Sequence, residues 1–263
     1  QTTWTGEQNS TSMEDLVEIL GGKVTALKRE GREESCHDTI LEIKDFGTDT
    51  LDTINMNIKK GEVVGLSGLG GSGQKKLILE ILKVARRNFR SRNVNGFNLK
   101  CDVSYVSGDR ETEGVFPLWD IGDNIMISSL EQSVSKGLIQ KNKYKKLAMH
   151  WYEKLKFKAQ GIGDSIMNLS GGNQQKALLA RGLAAHSDLI ILNDPTAGVD
   201  IETKQEIYQL LLEAKKQGKA VLLHSTEDLE MEQCDRVYVM HEGTIVKELK
   251  HDDVTVKNII QAS

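Results

Sequence analysis

The chain has 263 residues, 38% of them hydrophobic and 27% charged, with a formal net charge of −4. That length allows a substantial buried core, whereas the charge gives no global basic footprint for a nucleic-acid backbone or an anionic membrane surface. No apolar run approaches the roughly 20 residues of a transmembrane helix, and the start QTTWTGEQNS reads as neither a secretory signal nor a transit peptide. Cys36, Cys101 and Cys234 lie far apart without CxxC spacing, which fits reduced thiols packed as small hydrophobes.

Residues 1–36 are polar, with one short helical pattern, MEDLVEIL, whose Leu16, Val17, Ile19 and Leu20 form an apolar face capped by Ser12. Thr39 to Ile43 and Thr53 to Ile58 then read as short strands, and Glu62 to Ser67 as a buried one. A glycine loop, GLGGSGQKKL from Gly68 to Leu77, leads into helical spacing through Leu77, Ile81 and Val84. Further strands are expected at Val103–Val106, Leu189–Leu192, Val221–His224, Val237–Met240 and Thr244–Leu249, and Ile207, Leu210, Leu211 and Ala214 form a helical stripe ended by Gly218. Alternation of strands and helices predicts an α/β fold with a largely parallel sheet. The stretch from about 117 to 186 shows no clear strand and reads as a helical insert. At the end, Thr255, Ile259 and Ile260 repeat the pattern of Ser12, Leu16 and Val17, either as two copies of one unit or as two unrelated capped helices.

Three stretches carry chemistry. Strand, glycine loop, helix is the context of the phosphate loop GxxxxGK[ST], in which backbone amides cradle phosphates, the lysine reaches the β and γ phosphates and the hydroxyl binds Mg²⁺. Here Gly68, Gly70, Gly71, Ser72 and Gly73 keep the loop, but Gln74 stands at the lysine position and Lys75, followed by Lys76, at the hydroxyl position. Successive helical residues point about 100° apart, so Lys75 is not expected to replace the missing lysine directly. LSGGNQQK, Leu169 to Lys176, opens another helix with Ser170 as N-cap, an anion-friendly start. ILNDPTAGVD, Ile191 to Asp200, follows an apolar strand, where a carboxylate serves Mg²⁺ or positions water; Asp194 and Asp200 are the candidates.

In this order and spacing the three motifs resemble those of the ATP-binding cassette ATPases, and LSGGNQQK resembles the longer signature loop of the tandem cassettes that power import of ribose, galactose and xylose. The similarity runs from about Ile40 to Ser263. VSGDRETEGVF, which contains Asp109, resembles the segment that replaces the Q-loop in the second of the two cassettes, and GLIQKNKYKK the helical insert. The resemblance implies a P-loop NTPase core with a mostly parallel sheet, an N-terminal antiparallel β subdomain and an inserted α-helical signature subdomain. It implies that residues 1–36 are tail and linker from a preceding cassette and that 37–263 form the nucleotide-binding domain. ATP and Mg²⁺ are the implied cofactors. A second cassette and transmembrane permease subunits are the implied partners, a substrate-binding protein an indirect one, and nucleic acid is none. The implied place is the cytoplasmic face of the membrane, held peripherally.

By the same resemblance, Asn193 falls on the metal aspartate, Asp194 on the water-polarising glutamate and Thr226 on the switch histidine, with His224 on the preceding strand. Ser170, Gly171, Gly172, Gln174 and Asp200 match the side that completes a partner's ATP site, and Phe46 is placed to stack on adenine or to fill the core. Asparagine lacks the charge a Mg²⁺ site favours and aspartate is one methylene shorter than glutamate, so weak turnover is expected from the chain's own site. The alternatives are a cassette ATPase acting on nucleic acid or the ribosome, and a purely regulatory nucleotide-binding module.

Overall fold

The computed structural model describes residues 38–263; Cys36 and the helix expected near Ser12 lie outside the described residues. Strands β1 (Thr39–Thr48) and β2 (Leu51–Lys59) pair antiparallel, and β3 (Val63–Ser67) leads through the glycine loop into α1 (Gln74–Ala85). After β4 (Asn93–Val94), β5 (Phe97–Leu99) and β6 (Val103–Ser107) come α2 (Ile121–Met126), the hairpin strands β7 (Val134–Ser135) and β8 (Leu138–Ile139), and α3 (Lys141–Leu155). The chain continues through α4 (Gly171–Ala184), β9 (Leu189–Asn193), α5 (Ile201–Lys216), β10 (Ala220–His224) and α6 (Asp228–Met231). It closes with β11 (Arg236–His241), β12 (Thr244–Lys250) and α7 (Val256–Ala262).

The larger sheet has the order β12-β11-β3-β10-β9-β6, parallel except for the antiparallel edge strand β12. Its central strands are apolar without interruption because both faces are covered. Along each strand the side chains divide between two cores. Val63, Ile190, Leu192, Val221, Leu223, Val237 and Val239 face α4, α5 and the helical insert. Val64, Leu66, Ile191, Leu222 and Met240 face α1 and the antiparallel sheet β2-β1-β5-β4. Each fully buried aliphatic side chain contributes about 1.5–3 kcal/mol of transfer free energy, so the two cores clamp the sheet from both sides.

Two differences from the sequence reading concern the smaller elements. The region from 117 to 186 is helical but holds the β7–β8 hairpin, which turns at Lys136 and Gly137 with φ of 52° and 79°, so GLIQ is strand and turn and the helix begins only at Lys141. The strands β4 and β5 are joined through Asn95 and Gly96, both with positive φ, and complete the antiparallel sheet.

Candidate nucleotide site

Open α/β sheets gather their ligands beyond the carboxyl ends of the strands, and here those ends are brought level by register. Ser107 pairs with Asn193, Asn193 with His224, and His224 with Leu66, so the loops that start at Gly68, Gly108, Asp194 and Ser225 emerge together.

The glycine loop turns at Gly68, φ 133°, where a Cβ would overlap the carbonyl oxygen of Met240; only glycine fits. Gly73, φ 108°, is the N-cap of α1 and offers no side chain to the helix start, leaving first-turn N–H groups for an anion. A Cβ on Gly70 or Gly71 would meet nothing within 4 Å, so the loop is open on that side. Ser72 is buried, and its carbonyl accepts from Gly243 N at 3.0 Å, tying the loop to the β11–β12 turn. A chain of phosphates therefore fits this cradle.

The cationic side does not follow the usual pattern. Gln74 is buried, its Nε2 donating to the Leu69 carbonyl at 3.2 Å, so it braces the loop from inside. Lys75 Nζ lies 3.4 Å from Asp194 Oδ2, while Lys76 is exposed. Asp194 itself is fixed: its φ is 51°, its N–H donates to the His224 carbonyl at 2.7 Å, and its Oδ1 accepts from Thr226 N at 2.7 Å. Thr226 thus meets Asp194 through its backbone. His224 is a buried strand residue whose Nδ1 stands 3.0 Å from the Leu66 carbonyl.

Asn193 Nδ2 donates to the Tyr105 hydroxyl at 3.2 Å, and its Oδ1 is buried with no partner among the described residues. A nucleotide-bound Mg²⁺ takes one or two protein carboxylates beside phosphates and water, and here one such position is a neutral amide and the neighbouring carboxylate, Asp194, is paired with an ammonium. The phosphate cradle fits its ligand; the metal position does not.

At the signature loop Ser170 caps α4, its Oγ accepting from Asn173 N at 3.4 Å and from Asn173 Nδ2 at 3.1 Å. The rest of NQQK points into the protein. Gln174 Nε2 donates to the carbonyls of Ile166 and Leu169 at 3.3 and 3.2 Å, Gln175 Nε2 to Ser107 at 3.3 Å, and Lys176 Nζ to Leu155 at 3.1 Å and to Glu206 at 2.8 Å. Gln174, expected at the nucleotide, thus has its amide donor engaged in shaping the loop.

Phe46 was open between adenine and the core. It is 7% exposed and packs edge-on against Phe97 with ring centroids 4.6 Å apart, so it fills the core. Asp109 closes its own turn, accepting from Thr112 N at 3.1 Å and Thr112 Oγ1 at 2.6 Å, and these bonds hold its carboxyl below the usual range.

The next residue, Arg110, was missed by the motif reading. Its Nη1 donates to the Ala197 carbonyl at 3.2 Å, and a Cβ built on Gly171 would come within 2.8 Å of its Nη2. Arg110 thus links the segment after β6 to both the signature loop and the Asp200 loop; the signal available was its place beside Asp109 in DRETEG. Asp200 caps α5, accepting from Thr203 N and Oγ1 at 2.9 Å each, and a Cβ on Gly172 would lie 3.3 Å from its Oδ2.

The sequence profile of the ABC transporter family matches residues 51–197. A ribose import ATP-binding protein of Rhizobium etli is 35% identical over 227 residues, covering 82% of this chain and 44% of its own length. One from Bacillus cereus is 30% identical over 263 residues, covering 95% and 53%. The chain spans about half the length of the curated relatives it matches. Among solved structures, a dimeric ATP-binding cassette in a post-hydrolysis state with ADP and Pi superposes with a TM-score of 0.64 at 21% identity, covering 80% of this chain and 98% of that one. A cassette of a Clostridium perfringens ABC transporter complex gives 0.68 at 21% identity, covering 85% and 94%. With more than half of the chain matched, and with the fold of these cassettes, the protein belongs to the ABC transporter family as an ATP-binding domain.

Proposed function

We propose that this chain is the ATP-binding component of a sugar importer, holding nucleotide in its own altered site and completing the ATP site of a second cassette with its signature loop. The observation that carries this reading is the contrast between the two sides. On the phosphate-loop side Gln74 is folded inward, Lys75 lies on Asp194 and Asn193 replaces a carboxylate. On the signature side the Ser170 cap, Gly171, Gly172 and the Asp200 cap form a braced loop with a helix start that favours anions. The ribose import relatives support a sugar as the substrate class, and their double length leaves room for a second cassette on the same polypeptide.

Docking on membrane-embedded permease subunits is assigned to the ledge where Phe116 stacks on Trp119 at 4.4 Å and Leu118 is 97% exposed. Attachment through such partners at the cytoplasmic face is the arrangement we assign; among the described residues no helix is long and apolar enough to cross a membrane.

The test is ATP hydrolysis by a tandem protein that joins this chain to a cassette with a complete phosphate loop. Gly171→Asp puts a carboxylate where an anion is expected, and the three atoms nearest a Cβ there belong to the flexible end of Arg110. The reading predicts a loss of at least about 100-fold in kcat, the scale on which losing an electrostatic contact to a reacting phosphate acts. Hydrolysis unchanged by Gly171→Asp would contradict it.

A further inference from the structure

The altered side of the site has chemistry of its own. In a complete phosphate loop the first helical turn supplies a hydroxyl and the neighbouring strand a carboxylate, and the metal they hold neutralises the phosphates. Here the residue at the hydroxyl position is Lys75, and its ammonium lies 3.4 Å from Asp194 Oδ2 in the gap between α1 and the end of β9. Asn193, at the end of that strand, is held by Tyr105 and brings no charge. Asp194 is held by the His224 carbonyl and Thr226 N–H, so the ammonium comes to the carboxylate rather than the reverse. Lys75 is 64% exposed and makes no other ion pair among the described residues, so it can turn from Asp194 to a phosphate while Asp194 keeps the bond from Thr226 N.

We propose that Lys75 stands in for the divalent cation, so that this site binds nucleoside di- and triphosphates without metal. A lysine ammonium is a compact point charge suited to phosphate oxygens. A Mg²⁺ ion brought in by the nucleotide would meet this ammonium, and the repulsion between two cations offsets what the metal gains from one amide oxygen and one shared carboxylate. The inference rests on the nucleotide-holding reading of this site, and it concerns binding, not turnover.

The experiment is titration of the chain with ATP and with ADP by calorimetry, once with Mg²⁺ and once with excess EDTA. The proposal predicts dissociation constants that agree within about threefold, a difference under 0.7 kcal/mol. Lys75→Met should weaken binding about five- to tenfold in EDTA, and the double variant Lys75→Ser, Asn193→Asp should make binding at least about tenfold tighter with Mg²⁺ than without. Wild-type binding that weakens tenfold or more in EDTA, or a Lys75→Met variant that binds as wild type, would overturn the proposal and leave the nucleotide-holding reading standing. No binding under either condition would overturn both.

Discussion

At the scale of single residues, two departures in the motifs were legible only in part. Gln74 and Asn193 were legible as departures from the sequence alone, since each is a change of charge at a fixed position in a motif. Where their side chains go was not legible: nothing in the motif says that Gln74 closes on Leu69 or that Asn193 turns to Tyr105, because those partners are set by folding. The surroundings of Phe46 and Gln174 were not legible for the same reason. An aromatic upstream of a glycine loop and an amide within a signature motif can face ligand or core, and only packing against Phe97 and the carbonyls of Ile166 and Leu169 decides.

Asp200 gives the prediction at this scale. Its hydrogen bonds with Thr203 N and Oγ1 favour the carboxylate and lower its pKa in the folded state. A lowered folded value adds stability that is complete above the unfolded pKa of about 3.9 and is lost as pH falls through the folded value. Asp200→Ala should therefore cost about 1 kcal/mol at neutral pH, as for an N-cap, and less in acid, measured by urea unfolding at two pH values. An equal cost at pH 7 and below pH 3, on the order of 1 kcal/mol at both, would mean the carboxylate is not the cause.

At the scale of elements, the strands of the large sheet were legible because continuous apolar runs between loops leave little choice, and the structure extends most of them by only a residue or so. The small elements were not. The β4–β5 turn carries Asn95-Gly96 between Val94 and Phe97, the strongest short-range hairpin signal, yet strands of two and three residues have too little pattern to register by alternation. The β7–β8 hairpin hid within a lysine-rich stretch for the same reason.

The two sheets are joined by a strut invisible in any motif. Arg236 on β11 bonds Glu62 at 2.6 Å and Glu248 at 2.8 Å, and its Nη2 donates to the Asn57 carbonyl on β2. Arg236 is mostly buried, and Glu62 is 15% exposed. Removing the cation leaves that carboxylate without its partner, so Arg236→Ala should destabilise the domain by about 3 kcal/mol in chemical denaturation. Arg236→Ala together with Glu62→Gln should recover part of the loss, as expected where the unpaired charge is its source. A double variant no more stable than the single one would place the cost in packing instead.

Across the whole molecule, the family is legible in the order and spacing of the motifs, and the level strand ends of the parallel sheet bring the glycine loop and the acidic end of β9 to one side of it. The functional state follows from how the same parts are filled. Backbone amides at the start of α1 survive the loss of the lysine, since glycine geometry and not side-chain charge builds the cradle. On the proposed reading catalysis does not survive as easily, because it needs a metal and a base placed within hydrogen-bond reach of water, and Asp194 is bound to Thr226 N and paired with Lys75. Cys101 is buried, and burial pushes its thiol up to about 12.

The most direct measurement of this asymmetry is ATP turnover by the chain alone under conditions where calorimetry shows it saturated with nucleotide. The account predicts saturable binding with turnover at least a hundredfold below the roughly 10 s⁻¹ of a typical enzyme. Turnover near that typical value, with nucleotide bound and Mg²⁺ present, would contradict it.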